Sequence, residues 1–238
     1  MTLKEQFSKS GNWLFRWRSY PPVVLVVLGF FALPYFRITD SRSDQLWELL
    51  CLSVSLAGLG IRVYTIGYAH KGTSGRNTTH QKAEVLNKTG IYSIVRNPLY
   101  LGNFFIWFGL SMFFRLWWFS LIVSLAFWIY YERIIFAEEE FLAKKFGNEF
   151  LEWCGKTPAF IPRFRNWTPT DVAFAYRTVL KREQSGLLAI TATFTLFEVL
   201  GDYLNSGQLR LETMWAFIFF GGLGIFLTLT GLKKAHVL

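Results

Sequence analysis

Cysteine, histidine and charge are all scarce in this chain of 238 residues, and each shortage removes a class of explanation. The two cysteines, Cys51 and Cys154, lie far apart, and His70, His80 and His236 are scattered. That pattern supports neither a disulfide framework nor a metal site. No internal repeat or low-complexity tract is present, which excludes solenoids and collagen-like arrays. The aromatic residues fall mainly inside apolar runs instead of among basic clusters, which argues against a nucleic-acid surface.

What is abundant is apolar surface. Hydrophobic residues make up 52% of the chain and aromatics 19%, with 25 Phe and 10 Trp. A soluble domain of this length does not carry that much apolar side chain, so the composition points to a membrane protein. Four apolar stretches stand clear: Pro22–Phe36, Leu46–Tyr68, Leu187–Leu200 and Thr213–Leu232. A fifth, Leu99–Tyr131, is too long for one span and is interrupted at Arg115, so it reads as a helical hairpin with Trp117 and Trp118 at the interface. The expectation is an all-α, polytopic bundle of about six spans. Lys4, Lys9, Arg16 and Arg18 precede the first stretch, but no small-residue cleavage pattern follows Phe36, so that stretch is expected to remain as an anchor.

Basic residues orient these spans. Of 25 Lys and Arg, 20 fall in the head, in His70–Pro98, in Arg133–Arg182 and in the tail at Lys233 and Lys234. Arg37, Arg42, Arg115 and Arg210 alone occupy the opposite connections, and Arg62 lies within a span. Both termini and both long loops are therefore expected on the cytoplasmic side. Insertion bias explains most of the +9 formal charge; attraction to anionic lipid is compatible with it. Arg62 should face the bundle or a wet cavity, or snorkel, and Glu132 and Glu198 raise the same question. Gly221, Gly222 and Gly224 follow no strand and read as a helix-packing surface.

The long loops carry the chemistry-bearing residues. In the first, Ala69–Gly102, Gly72, Gly75 and Gly90 punctuate the chain, and Ala83–Asn87 reads as a short helical turn. Asn97 followed by Pro98 predicts a capped helix start. The same feature directs backbone N–H groups and Arg96 toward an anionic ligand such as an amino-acid carboxylate, with Tyr92 and Tyr100 supplying aromatic surface and hydroxyls. In the second loop, Glu138, Leu142, Phe146 and Phe150 are spaced by four, with Trp153 three further on. This predicts an amphipathic helix whose apolar stripe lies on the membrane, weakened at Gly147 and ended by Pro158 and Pro162.

The run Gly90-Ile-Tyr-Ser-Ile-Val-Arg-Asn-Pro-Leu-Tyr-Leu-Gly102, followed by Glu138-Glu139-x-x-Leu142-x-x-x-Phe146-Gly147, resembles the isoprenylcysteine carboxyl methyltransferase family. That family includes bacterial lipid methyltransferases and is akin to the phospholipid N-methyltransferases. The resemblance covers roughly residues 62–164. It implies a helical membrane enzyme that binds S-adenosyl-L-methionine without a Rossmann domain, near the cytoplasmic ends of the spans, with a bacterial inner-membrane location. It assigns Tyr92, Val95, Arg96, Asn97, Pro98, Tyr100, Gly102 and Glu139 to the cofactor, and Arg96, Glu138 and Glu139 to catalysis. Asn97 stands where relatives have His, and Phe150 and Trp153 where they have Tyr; Asn hydrogen-bonds but cannot act as a base. The core would comprise residues 1–182, with 183–238 an additional pair of spans.

The acceptor implied is a membrane lipid or lipidated substrate: a prenylated cysteine carboxylate, a phospholipid amine or the phosphate of a glycolipid such as lipid A. Arg76, Lys82, Lys88 and Arg96 favour an anionic headgroup. Two other readings stay open at this point: an NADPH-dependent membrane reductase of the sterol type, and a lipid-binding protein without turnover.

Overall fold

Apolar runs with no polar backbone partner nearby must satisfy their own N–H and C=O groups, and in this chain they do so as helices. The computed structural model describes residues 1–18, 20–35, 42–70, 72–73, 83–235 and 238, with only the backbone at 21, 22, 42 and 43. Phe36, Arg37, Gly75, Arg76, His80, Lys82 and His236 lie outside the described residues. The helices in chain order are α1 (Leu3–Trp17), α2 (Pro21–Ala32), α3 (Arg42–Gly67), α4 (Ile91–Ile94), α5 (Pro98–Met112), α6 (Trp117–Phe146), α7 (Asn148–Lys156), α8 (Tyr176–Ser206) and α9 (Thr213–Lys234). Among the described residues there is no strand, only an isolated antiparallel bridge between Gly90 and Thr168.

The protein is all-α and integral to the membrane. Among the described residues, four helices are long and apolar enough to cross a bilayer, within Asp44–Gly67, Trp117–Phe146, Tyr176–Ser206 and Thr213–Lys234. The two remaining apolar segments are shorter, at 12 residues in α2 and 15 in α5. The break between α5 and α6 falls where the sequence places it, with Arg115 at a positive φ of 57°.

Two compact units are interleaved along the chain. One contains 1–21, 64–101 and 125–175; the other contains 22–63, 102–124 and 176–238. In the first unit, α1 is held at its start by a capping box between Thr2 and Glu5. It lies against α6 because Gly11 has no side chain to collide with the Arg133 carbonyl. Phe7 meets Phe136 edge-on, the Arg133 guanidinium stands 4.0 Å over the Phe7 ring, and the Tyr130 hydroxyl donates to the Leu14 carbonyl. The basic head of the sequence is thus an amphipathic helix, with Trp13 and Trp17 exposed on its other side.

The second unit has an aromatic core. Phe194 stacks on Trp215 at 5.7 Å, Phe113 packs edge-on against both, and Phe114 meets Phe197 at 4.8 Å. Arg62 is not left alone in its span: it makes two 2.8 Å hydrogen bonds to the Glu183 carboxylate and one of 2.6 Å to Asn103. Close approach of α3 to α5 requires glycine, since a Cβ at Gly102 would stand 2.7 Å from both Arg62 Cγ and the Gly58 carbonyl oxygen. Of the four glycines in α9, Gly222 faces Thr191, whereas among the described residues nothing lies within 4 Å of a Cβ placed at Gly221, Gly224 or Gly231.

Two local expectations need correction. Residues 83–87 form no helical turn; the chain bends at Glu84 and Val85 and is otherwise irregular there. Asn87 explains this: its side chain accepts from the His70 N–H and donates to Thr73 Oγ1 at 2.9 Å, bonds that compete with a helix. The amphipathic stripe is also not one continuous helix on the bilayer. Gly147 adopts φ 54°, ending α6 and starting α7, and Phe150 and Trp153 are buried against Leu86, with Tyr92, Leu142 and Phe146 packed around them.

Candidate active site

The motif residues from Gly90 to Leu101, together with Glu138, Glu139 and Arg18, belong to the first unit. The segment after Gly90 forms one short turn, α4, then extends at Val95 and restarts as α5 at Pro98, whose fixed φ suits a first helical position. The irregular backbone between α4 and α5 is braced by the tail that follows α7. The Arg96 N–H donates to the Pro158 carbonyl at 2.9 Å, and the Arg163 N–H donates to the Ile94 carbonyl at 2.9 Å. The Gly90 N–H donates to the Thr168 carbonyl at 2.8 Å, and Ser93 Oγ accepts from the Thr168 N–H. From α7, Trp153 Nε1 donates to the Tyr92 carbonyl at 3.2 Å.

These bonds hold Arg96 toward α6, where Glu138 and Glu139 follow each other. Neighbours on a helix point about 100° apart, so the two carboxylates address different partners. Glu139 pairs with Arg96 Nη1 at 3.2 Å. Glu138 accepts the Tyr100 hydroxyl at 2.9 Å and pairs with Arg18, the residue following α1, at 3.5 Å. Tyr100 packs on Tyr131 with ring centroids 4.8 Å apart. Two polar atoms in this arrangement are buried without a hydrogen-bond partner: Arg96 Nε, a donor, and Glu139 Oε1, an acceptor. A donor and an acceptor left unpaired on one ion pair match a ligand that carries both a carboxylate and an ammonium or hydroxyl group.

Burial, and then the neighbouring Glu138 carboxylate, push the Tyr92 phenol above its ordinary range, so it remains a neutral donor. Burial likewise raises the Cys154 thiol, an effect that the adjacent Arg96 opposes. Cys154 packs against the cluster of Leu86, Phe150 and Trp153 beside the ion pair.

The sequence-derived site residues separate into three kinds. Tyr92, Arg96, Asn97, Tyr100, Glu138 and Glu139 share the first unit. Val95 is wholly buried and Pro98 nearly so, which leaves their backbone, not their side chains, to face a ligand. Gly102 belongs to the second unit, where its lack of a side chain admits Arg62 and Gly58. Asn97 also departs from expectation. Its carbonyl accepts the Leu101 N–H as a helix start requires, but its side-chain Nδ2 donates to the Ala159 carbonyl at 3.1 Å, tying the site to the tail. Among the four basic residues taken to favour an anionic headgroup, Lys88 pairs with Glu149 and Arg96 with Glu139. Reading the sequence for its site missed Arg18, Tyr131 and the bracing tail at 157–168. Only the basic, amphipathic character of the head hinted at the first.

An all-helical integral membrane protein with two Arg–Glu pairs beside a helix start is the class that fold and site define. Comparison with known proteins agrees. The Phospholipid methyltransferase family model matches residues 49–149. The chain is 31% identical over 179 residues to the cobalt-zinc-cadmium resistance protein CzcN of Cupriavidus metallidurans, covering 72% of this chain and 80% of that one. It is 33% identical over 150 residues to the nickel-cobalt-cadmium resistance protein NccN of Alcaligenes xylosoxydans xylosoxydans, covering 62% and 63%. It is 33% identical over 114 residues to the protein-S-isoprenylcysteine O-methyltransferase of Schizosaccharomyces pombe, covering 48% and 46%. No solved structure matches. The chain belongs to the membrane methyltransferase family that joins the phospholipid and isoprenylcysteine methyltransferases.

Proposed function

We propose that this protein transfers a methyl group from S-adenosyl-L-methionine to an anionic oxygen, phosphate or carboxylate, on a lipid-like acceptor at the cytoplasmic face of a bacterial inner membrane. The observation that carries the reading is the Arg96–Glu139 pair with one buried, unpaired donor and one buried, unpaired acceptor. Arg96 Nε fits the amino-acid carboxylate of the cofactor, and Glu139 Oε1 fits its ammonium or a ribose hydroxyl. Tyr92, Asn97 and Tyr100 complete the surroundings, with backbone from Val95 and Pro98. The cofactor supplies a sulfonium-borne methyl: the S–C bond breaks as an O–C bond forms, and the electron pair stays on sulfur.

The chain itself has to align donor and acceptor and keep water out. Both carboxylates are already engaged in ion pairs with arginines. An ionised oxygen needs no deprotonation and so asks for no general base, which makes it the simpler acceptor for this site. The name of the fission-yeast relative, an O-methyltransferase, supports the same choice, and that of the family model supports a lipid. Depth fits as well. With 30 residues, α6 is longer than the roughly 20 that cross a bilayer, so Glu138 and Glu139 near its C-terminal end lie where the helix leaves the hydrocarbon.

The acceptor class is tested with the purified chain in nanodiscs, S-adenosylmethionine labelled in the methyl, and lipids bearing a phosphate monoester, a carboxylate or a primary amine. Label in a methyl ester of phosphate or carboxylate supports the reading. Label confined to the amine nitrogen overturns the acceptor, and no binding of the cofactor overturns the whole.

A further inference from the structure

The second unit gathers five carboxylates where α3 begins, α8 ends and α9 begins. Asp44 and Glu48 are one turn apart on α3, Glu198 and Asp202 one turn apart on α8, and Glu212 is the N-cap residue of α9. Carboxylate oxygens of Glu48, Glu198 and Glu212 lie within 4.8 Å of one another. Glu48 is 4% exposed and Glu198 only 1%. Trp215, wholly buried and packed against Phe113 and Phe194, donates its indole N–H to Glu48 at 3.0 Å.

Glu198 is the decisive residue. Among the described residues its Oε2 is buried with no hydrogen-bond partner, and Glu48, Asp202, Glu212 and Asp44 are acidic groups that act on it. Arg115, a cation that acts on Glu48, is engaged in an ion pair with Asp44. Two buried carboxylates side by side, one of them with an unpartnered oxygen, are costly unless something neutralises them. One shared proton offsets a single negative charge; a divalent cation offsets two and can be coordinated by Glu212 as well as by the buried pair.

We propose that Glu48, Glu198 and Glu212 bind a divalent cation and thereby clamp α3, α8 and α9 together. Carboxylate oxygen is the donor of hard ions, so magnesium, manganese and calcium are the expected class. Bond lengths of about 2.0–2.6 Å to such ions bring oxygens to separations comparable with those seen here. The site uses none of the Arg96–Glu139 machinery and stands whether or not methyl transfer is correct.

The test uses the full chain in nanodiscs after chelator treatment, titrated with Mn²⁺ and followed by electron paramagnetic resonance and elemental analysis. One tightly bound Mn²⁺ per chain, with a rise in Tm, is the expected result. Glu198→Gln should weaken binding by at least about tenfold, since losing even a ligand's supporting partner costs that much. Glu212→Gln, at a partly exposed helix start, should act in the same direction and decides the matter if the buried variant fails to fold. Wild-type protein that binds no stoichiometric Mn²⁺, or variants that bind it as tightly as wild type, would overturn the proposal. A Tm that rises on acidification and ignores Mn²⁺ would show a protonated cluster instead.

Discussion

Arg96 and Glu139, 43 positions apart in sequence, face each other at 3.2 Å, and each keeps one polar atom buried and unpaired. Charge-assisted hydrogen bonds contribute about 1.5–3 kcal/mol each, so loss of either side chain should weaken S-adenosylmethionine binding by roughly 10- to 100-fold. Calorimetric titration of Arg96→Ala and Glu139→Ala checks this. Unchanged affinity in both would remove them from the site.

Glu138 has a different role, joined to Tyr100 and to Arg18. Tyr100→Phe removes one hydrogen bond and should cost about 1 kcal/mol of stability. Arg18→Ala should cost less than Glu138→Ala, which strands the Tyr100 hydroxyl as well. Denaturation of the three variants and of the Tyr100/Arg18 double variant measures the coupling.

Gly102 is a packing residue in the second unit. Gly102→Ala puts a methyl 2.7 Å from Arg62 Cγ and from the Gly58 carbonyl, and should destabilise the protein by about 1–3 kcal/mol. The expected signature is a lowered Tm with cofactor affinity retained in the folded fraction. A loss of affinity at unchanged Tm would restore Gly102 to the binding site.

Gly147 separates α6 from α7 through a positive φ, with open space around it. Gly147→Ala meets no neighbour and should cost about 1 kcal/mol from backbone conformation alone. Phe146→Ala removes a ring from the cluster of Leu86, Phe150 and Trp153, and should loosen the seating of α7 with a smaller effect on cofactor affinity than Arg96→Ala. Limited proteolysis within 147–156 reports the first effect and calorimetry the second.

Much of this was legible in the sequence where local chemistry leaves few choices. Pro98 fixes a helix start, Arg115 interrupts an apolar run, and the apolar segments must be helical in a bilayer. The stripe through Phe150 and Trp153 was legible as a shared face but not in its direction. A spacing counted across Gly147 says nothing about which surface the face meets, and the surface proved to be Leu86 and Tyr92. Arg18 was beyond reach because 120 residues separate it from Glu138 and no motif marks it. The bracing tail was equally hidden, since most of its bonds use backbone groups that every residue carries.

The most direct test of the central claim is to incubate the protein in nanodiscs with methyl-labelled S-adenosylmethionine and a total membrane extract, and to locate the label by mass spectrometry. A labelled lipid with wild type, and none with Glu139→Ala, is the predicted result. Equal labelling with both proteins would contradict the assigned site, and an unlabelled extract despite measurable cofactor binding would contradict the assigned activity.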